Sequence, residues 1–368
     1  ARGHIHQATG IPAGNILISV THTHSGPGTI PYASNEADPT VPVPDEAYLQ
    51  QLEDGIVEAG VQAYAAQQSA TLGFATADAS CVGTNRRDPA DVAHPEMPIV
   101  LVRNAETNDA LALMCICSMH PTVLHEDSTL ISGDFPGLAR NYIQQEVLTK
   151  DCVVLHHSGA SGNQSPRHVV ESTTFAEAKR LGDNLGKAVQ EAIQNIEYRT
   201  ELNIHCSQNE VDLPLRSFVS ETEATAALQV AQDHFAHLQQ IDAPRAALRT
   251  AECDVFGAEE TLTLARVAST GRLEAYAQTC MPAEVQRITL GPWDFLAMPG
   301  ELFVEFALDI EYAFPNAHVI TLANGELQGY LVTEESVQEG GYEASNALFA
   351  SPEGGNRLVE AAKALLND

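Results

Sequence analysis

Ala110-Leu111-Ala112-Leu113-Met114-Cys115-Ile116-Cys117-Ser118-Met119-His120-Pro121-Thr122 is the stretch that decides the fold. Its first eight residues are apolar without interruption, the signature of a strand buried on both faces. The run is far short of the roughly 20 residues that cross a bilayer, and it ends on a polar ring. Similar runs flank it on both sides. Asn15–Val20, Thr71–Thr76, Ile99–Arg103, Cys152–His156, Glu284–Leu290, Trp293–Met298 and His318–Leu322 read as strands, and Ile204–Leu213 alternates like a half-exposed one.

Between these runs the periodicity changes to that of helices. Glu46–Gln67, Phe135–Val147 and Gly355–Leu366 carry it, as does a long amphipathic segment with Leu181, Leu185, Val189, Ile193 and Ile196 on one face. Ala1–Gln7 reads as the end of a helix, residues 29–45 as a surface loop, and the Ala/Gln/Glu-rich 219–270 as a helical subdomain or insertion. The expected fold is α/β: a mixed β-sheet core flanked by helices, with an active site at the C-terminal ends of strands and a helical insertion.

The 368 residues, 44% of them hydrophobic, are enough for one large or two ordinary domains and exclude disorder or a small disulfide scaffold. The 49 acidic against 19 basic residues give a formal charge of -30, which opposes binding to a nucleic-acid backbone or an anionic membrane. Seven cysteines are scattered without a C-x-x-C pair, so neither a zinc knuckle nor a dense disulfide framework is expected. Cys115 and Cys117 read as small core residues. The chain begins with Ala in what reads as the middle of a domain. A signal peptide would lie upstream of it.

Several polar residues stand where strands leave the core. His22 and His24 follow Asn15–Val20 two residues apart; in extended backbone their rings point to one side with Cβ atoms about 7 Å apart. That spacing suits one metal ion, or a ligand plus a proton shuttle, and it also suits hydrogen-bonded core rings. His120 needs a partner at the end of its apolar strand, either a metal or a carbonyl. Arg86, in Asn85-Arg86-Arg87-Asp88, offers a guanidinium to an oxyanion or to solvent. Asp134 stands where a helix N-cap is wanted. Ser165 sits in the small-residue turn after Cys152–His156, in neither a G-x-S-x-G elbow nor a phosphate loop. Glu301 follows Pro299-Gly300, and Tyr342 follows Gly340-Gly341. Because the carboxyl ends of strands are where α/β sheets bind ligands, His22, His24, His120, Ser165 and Glu301 point to one site. Two His, one carboxylate and an open position would make a hydrolytic metal centre, with zinc the favoured ion.

Taken in order, Thr21-His22-Thr23-His24-Ser25-Gly26-Pro27-Gly28, Asn85-Arg86, His120-Pro121-Thr122, Ser132-Gly133-Asp134, Gly162-Asn163-Gln164-Ser165-Pro166, Pro299-Gly300-Glu301 and Tyr330-Leu331-Val332-Thr333-Glu334-Glu335 with Tyr342-Glu343-Ala344-Ser345 resemble the motifs of the neutral/alkaline (non-lysosomal) ceramidases. The resemblance covers nearly the whole chain. It implies a single catalytic domain over 1–368, clipped at its N-terminal side and without the family's C-terminal β-sandwich, in a secreted or periplasmic protein. It implies a zinc amidase that splits ceramide into fatty acid and sphingosine, with His22, His120, Glu301 and Tyr342 as ligands of Zn2+. His24 and Arg86 would face the reacting carbonyl, and Ser165 would match the family's essential serine. Where the family's serine block commonly carries an acidic residue, this chain has Asn163. Trp293 is the only Trp and the 29–44 loop is polar, so a smaller N-acyl amide or ester stands beside ceramide as the substrate. Two other readings remain open, a metal-free serine esterase using Ser165 and a metal-binding protein without catalysis.

Overall fold

Ala110–Cys117 is a strand buried on both faces, and its alternation shows why. Leu113, Cys115 and Cys117 point into one apolar cluster, while Met114 and Ile116 point into another. Its antiparallel neighbour Glu96–Asn104 divides in the same way, with Ile99 and Leu101 on the first side and Val100 and Val102 on the second. In the computed structural model, which describes residues 1–34, 37, 41, 43–125 and 128–367, these strands belong to a five-stranded sheet. The order is Val153–Ser158, Ala110–Cys117, Glu96–Asn104, Ala70–Asp78 and the short Tyr198–Arg199.

A second sheet of four strands runs Ala317–Ile320, Trp293–Ala297, Ala283–Leu290, Ile204–Val211. The core is thus two mixed sheets packed face to face, where the sequence reading resolved a single mixed core. Phe295, Ala297 and Ile320 of the second sheet meet Val100 and Ile116 of the first in the cluster between them. Helices cover both outer faces. Phe135, Leu181, Leu185 and Val189 from Asp134–Tyr142 and Phe175–Ala192 close the first. Val304–Ala313 and Glu353–Asn367 close the second through Phe306, Ile310, Leu358 and Ala362. Double-sided burial accounts for the near-continuous apolar runs that made these strands legible.

Only Ala110–Cys117 with Val153–Ser158, and Trp293–Ala297 with Ala317–Ile320, run parallel among the long strands. Their carboxyl ends lie together: Thr321 N–H donates to Ser158 O at 2.8 Å and its hydroxyl to Gly159 O at 2.7 Å. The four chains leaving those ends build the site.

Asn15–Val20 differs from expectation. It is no regular strand; Ser19 makes an isolated bridge to Ala323, and Val20 N–H donates to Leu322 O at 3.2 Å. Val20 is itself half exposed, and the segment is tied to the end of Val153–Ser158 through side chains, Ser19 Oγ lying 2.6 Å from His157 Nδ1 and the Ser158 hydroxyl donating to Val20 O at 3.4 Å. Residues 219–270 are helical as read: Glu221–Gln240 packs on Arg245–Ala268. Gly257 brings the second helix against the turn at Tyr342, since a Cβ there would stand 3.2 Å from Tyr342 Cα. Residues 35, 36, 38–40 and 42 of the expected loop lie outside the described residues. Among the described residues no helix is long and apolar enough to cross a membrane.

Candidate metal centre and cleft

His120 lies three residues beyond the strand Ala110–Cys117 and is fully buried. Its Nδ1 faces Ser161 O at 2.6 Å. A carbonyl only accepts, so Nδ1 carries the hydrogen and Nε2 carries the lone pair. That lone pair meets Glu301 Oε2 at 2.9 Å and His22 Nε2 at 3.1 Å, and His22 Nε2 is 3.2 Å from the same carboxylate oxygen. The His120 lone pair and the Glu301 carboxylate, both acceptors, therefore face each other with His22 Nε2 beside them, an arrangement that a cation at that point would satisfy.

The titration behaviour follows from this geometry. Burial and the nearby Arg86 charge push the His120 imidazole down to about 4. Burial alone would depress His22 as well, but the Glu301 carboxylate more than offsets it and raises the ring above its ordinary value. Glu301 is held well below the usual carboxylate range, because the two histidines outweigh its burial.

His24 completes the cluster. The ligand nitrogens of His22, His24 and His120 lie within 4.8 Å of one another, a spacing that can hold a metal ion. The rings of His22 and His24 are brought together by a left-handed residue, not by extended backbone: His22 has φ 63°, and the rings meet edge to face at 4.8 Å. Thr23 hydroxyl donates to Ser132 O at 2.6 Å and Ser132 N–H donates to Ser25 O at 2.9 Å, fixing this loop to the segment before Asp134. His24 opens to the cleft, yet desolvation by its walls and the charges of His22 and His120 keep it well below the ordinary histidine value.

A metal fits these donors. Zinc takes nitrogen and carboxylate ligands at about 2.0–2.2 Å, so tetrahedral ligands sit about 3.3–3.6 Å apart, slightly wider than the 2.9, 3.1 and 3.2 Å that separate the facing atoms of His120, Glu301 and His22. The Ser161 carbonyl behind His120 is the outer-shell acceptor that fixes the tautomer of a ligating imidazole.

Arg86 closes the other wall. The two-residue ladder Thr84–Asn85 with Gln164–Ser165 carries it beside the serine turn. Its guanidinium donates to Gly162 O at 2.6 Å and lies over the rings of Tyr330 and Tyr342 at 5.2 and 5.8 Å. Arg86 Nε is 2.8 Å from Glu343 Oε1, an ion pair whose N–H points off the oxygen and finds no hydrogen-bond partner. Ser165 Oγ accepts from Arg167 N–H at 3.2 Å. Tyr342 stands further out: its ring packs at 5.6 Å on Tyr330, whose ring is 6.3 Å from His120, and its hydroxyl accepts from Asn346 Nδ2 at 3.3 Å. Asp134 is not the N-cap expected of it, a place Gly133 takes; it opens the helix with φ 50° and accepts from both Phe135 and Leu124 N–H at 2.6 and 2.9 Å.

His24, Arg86, Ser165, Tyr330 and Tyr342 share a cleft of about 350 Å³. Sequence reasoning gave no role to three residues around it. Tyr330 pairs with Glu301 in a two-residue parallel ladder, Glu343 neutralises Arg86, and Glu326 sits close enough to Glu301 for that charge and burial to push it up to about 7. Tyr330 and Glu343 stand inside the quoted motif blocks and Glu326 in none, but the partner each one meets lies elsewhere in the chain and local sequence does not name it.

The fold is similar to that of a neutral ceramidase from Pseudomonas aeruginosa, at a TM-score of 0.71 and 20% identity over 100% of this chain and 64% of that one. It is also similar to a ceramidase complexed with C2, at 0.68 and 16% over 100% and 66%. The chain has a neutral-ceramidase-like fold and spans about two thirds of the length of these proteins. No protein-family model and no curated protein sequence matches it.

Proposed function

We propose that the chain is a zinc-dependent hydrolase of the amide bond of an N-acyl lipid such as ceramide. In this reading His22, His120 and Glu301 hold the ion and Tyr342 completes the set. The observation that carries it is the approach of the His120 Nε2 lone pair to Glu301 Oε2 at 2.9 Å, with the opposite ring nitrogen committed to Ser161 O. Bound zinc supplies Lewis acidity, lowering the pKa of a water towards about 7 and polarising a carbonyl. The likeness of fold to two ceramidases supports the choice of substrate.

The remaining groups serve charge and proton movement. Arg86, fixed by Gly162 O and Glu343, presents a permanent positive charge to a developing oxyanion. Neutral His24 accepts a proton on a ring nitrogen and returns it to the leaving amine. Ser165 Oγ, already accepting from the Arg167 amide, keeps its own hydrogen to orient the substrate carbonyl. A metal-free serine mechanism needs an imidazole at that oxygen, and its partner there is a backbone amide. A cleft of about 350 Å³ lies at the low end of the roughly 300–1,000 Å³ of ligand pockets, so the scissile bond enters while much of a long acyl chain stays outside.

The test is metal analysis of the purified chain together with hydrolysis of N-acyl sphingosine. About one zinc per chain, lost with the activity on chelation and regained with zinc, is the expected result. Full activity in a metal-free protein would sink the reading.

A further inference from the structure

The cleft beside the histidines has the opposite polarity to the rest of the molecule. In a chain of formal charge -30, it is lined by four arginines, Arg86, Arg167, Arg245 and Arg249, and among the described residues by no carboxylate. Two of these cations are answered by acids: Arg86 by Glu343 and Arg249 by Glu252, each at 2.8 Å. The other two make no direct ion pair among the described residues, although Glu343 and Asp254 act on Arg167, and Glu177 on Arg245, from further off. Arg167, largely withdrawn from solvent, donates only to neutral groups, Thr250 Oγ1 at 3.2 Å, Arg86 O at 3.4 Å and Cys253 Sγ at 3.4 Å. Arg245 donates to Val170 O at 3.3 Å. Acids outnumber bases more than two to one in this protein, so an arginine lining the cleft without a carboxylate in direct contact is an unusual placement.

Position relates this charge to the chemistry. Arg167 follows Ser165 by two residues and its main-chain N–H holds the serine oxygen. Arg245 opens the helix Arg245–Ala268, whose first turn contains no acid and whose N-cap, Pro244, offers no side-chain cap. Ala246 of that turn also lines the cleft, so the helix end adds to the positive field without being needed for it. Burial, with the neighbouring Arg86 and Arg249 charges, depresses the Arg167 guanidinium even though Cys253 and the Glu343 carboxylate act the other way; an anion in direct contact would relieve that crowding.

We infer that the substrate carries an anionic group on its amine portion, a carboxylate or a phosphate, and that Arg167 and Arg245 bind it through charge-assisted hydrogen bonds. The inference rests on the cleft being the substrate site of the proposed hydrolase, and within the N-acyl compounds of that reading it favours those with an anionic amine portion.

Two matched series test it. Hydrolysis is measured on N-lauroyl ethanolamine, N-lauroyl-β-alanine and N-lauroyl-O-phosphoethanolamine, which differ in charge and so separate carboxylate from phosphate. Binding to the metal-loaded protein is measured with the dodecylsulfonyl analogues, whose sulfonamide is not an amidase substrate. The expected result is an affinity at least about tenfold higher for one of the anionic analogues than for the neutral one, with the ratio falling towards unity in R167Q and R245Q. Equal affinities, or a ratio intact in both variants, overturn the inference. Arg245 is exposed, so R245Q decides the matter should R167Q fail to fold. Discrimination in binding without cleavage of any lauroyl amide leaves the anion site standing and removes the hydrolase reading. Cleavage of all three without discrimination does the reverse.

Discussion

Glu343→Ala removes the carboxylate that neutralises Arg86, and its cost follows from burial. The two side chains are 5% and 4% exposed and 2.8 Å apart. Breaking a buried pair by deleting one partner costs about 3–5 kcal/mol, because the other charge stays desolvated. Arg86 retains Gly162 O and the faces of Tyr330 and Tyr342, and its Nε–H was never aligned on the carboxylate; both facts favour the lower end. Arg87 also loses Glu343 but keeps Glu339 at 2.9 Å. Urea unfolding should therefore show a loss of about 3 kcal/mol without a change in m, which is about 4 °C in Tm for a chain of this size. The double variant R86M/E343L should be less destabilised than E343A, since no buried charge is left unpaired. Burial alone would raise the Glu343 carboxyl, but Arg86 and Arg87 hold it below its ordinary value. A depressed folded pKa means stability that is present above the unfolded pKa and lost as pH falls, so the gap between wild type and E343A should close in acid. An E343A protein within about 0.5 kcal/mol of wild type at neutral pH would refute the reasoning.

Gly162→Ala should loosen the metal centre from outside it: the new Cβ would lie 2.8 Å from Leu302 O and 2.9 Å from Glu301 O, both main-chain atoms, so the Glu301 strand must shift. A loss of about 1–3 kcal/mol and about tenfold in metal affinity are expected from unfolding and metal titration. Asn163→Asp replaces the amide that donates to both oxygens of Glu305 at 3.1 and 2.9 Å with a second carboxylate; about 1–3 kcal/mol should be lost at neutral pH and recovered in N163D/E305Q. Chelation should lower the Tm of the wild type and leave H120A unchanged, since ion at about 1,000 times its Kd stabilises by about 4 kcal/mol; a shift of equal size in H120A would count against His120 as a ligand. Burial would lower His94, but the Glu311 hydrogen bond and charge at 3.0 Å raise it. Its contribution is full below the unfolded value and lost as pH rises through the folded one, so E311Q should be most costly near about pH 6 and progressively milder in alkali.

The strands were legible because each is buried on both sides and so carries its own signal. Ala110–Cys117 declares itself whatever lies next to it. Asn15–Val20 is apolar in four of its six positions but joins the sheet by one isolated bridge, and sheet pairing is a property of the partner that no single segment records. The choice between one mixed sheet and two facing ones was invisible for the same reason: Val100 and Ile116 are equally apolar whether a helix or Phe295 covers them.

The site divides along the same line. His120 and Glu301 could be singled out because a polar residue directly after a buried strand is a local anomaly. Tyr330 opens a two-residue strand and Glu326 lies in irregular chain, and both acquire meaning only where that short ladder or a neighbouring charge brings them to Glu301. Asn163 read as a departure from the resembling family; in the structure it answers Glu305, a carboxylate 142 residues away that an acidic residue at 163 would repel. The net charge worked in the other direction. A value of -30 describes the surface, and it conceals a cleft lined with arginine, since a sum over the chain carries no information about where the minority sign is placed. Positive polarity in the cleft beside the histidines is what the proposed anionic substrate requires, because an acidic exterior disfavours the approach of an anion elsewhere.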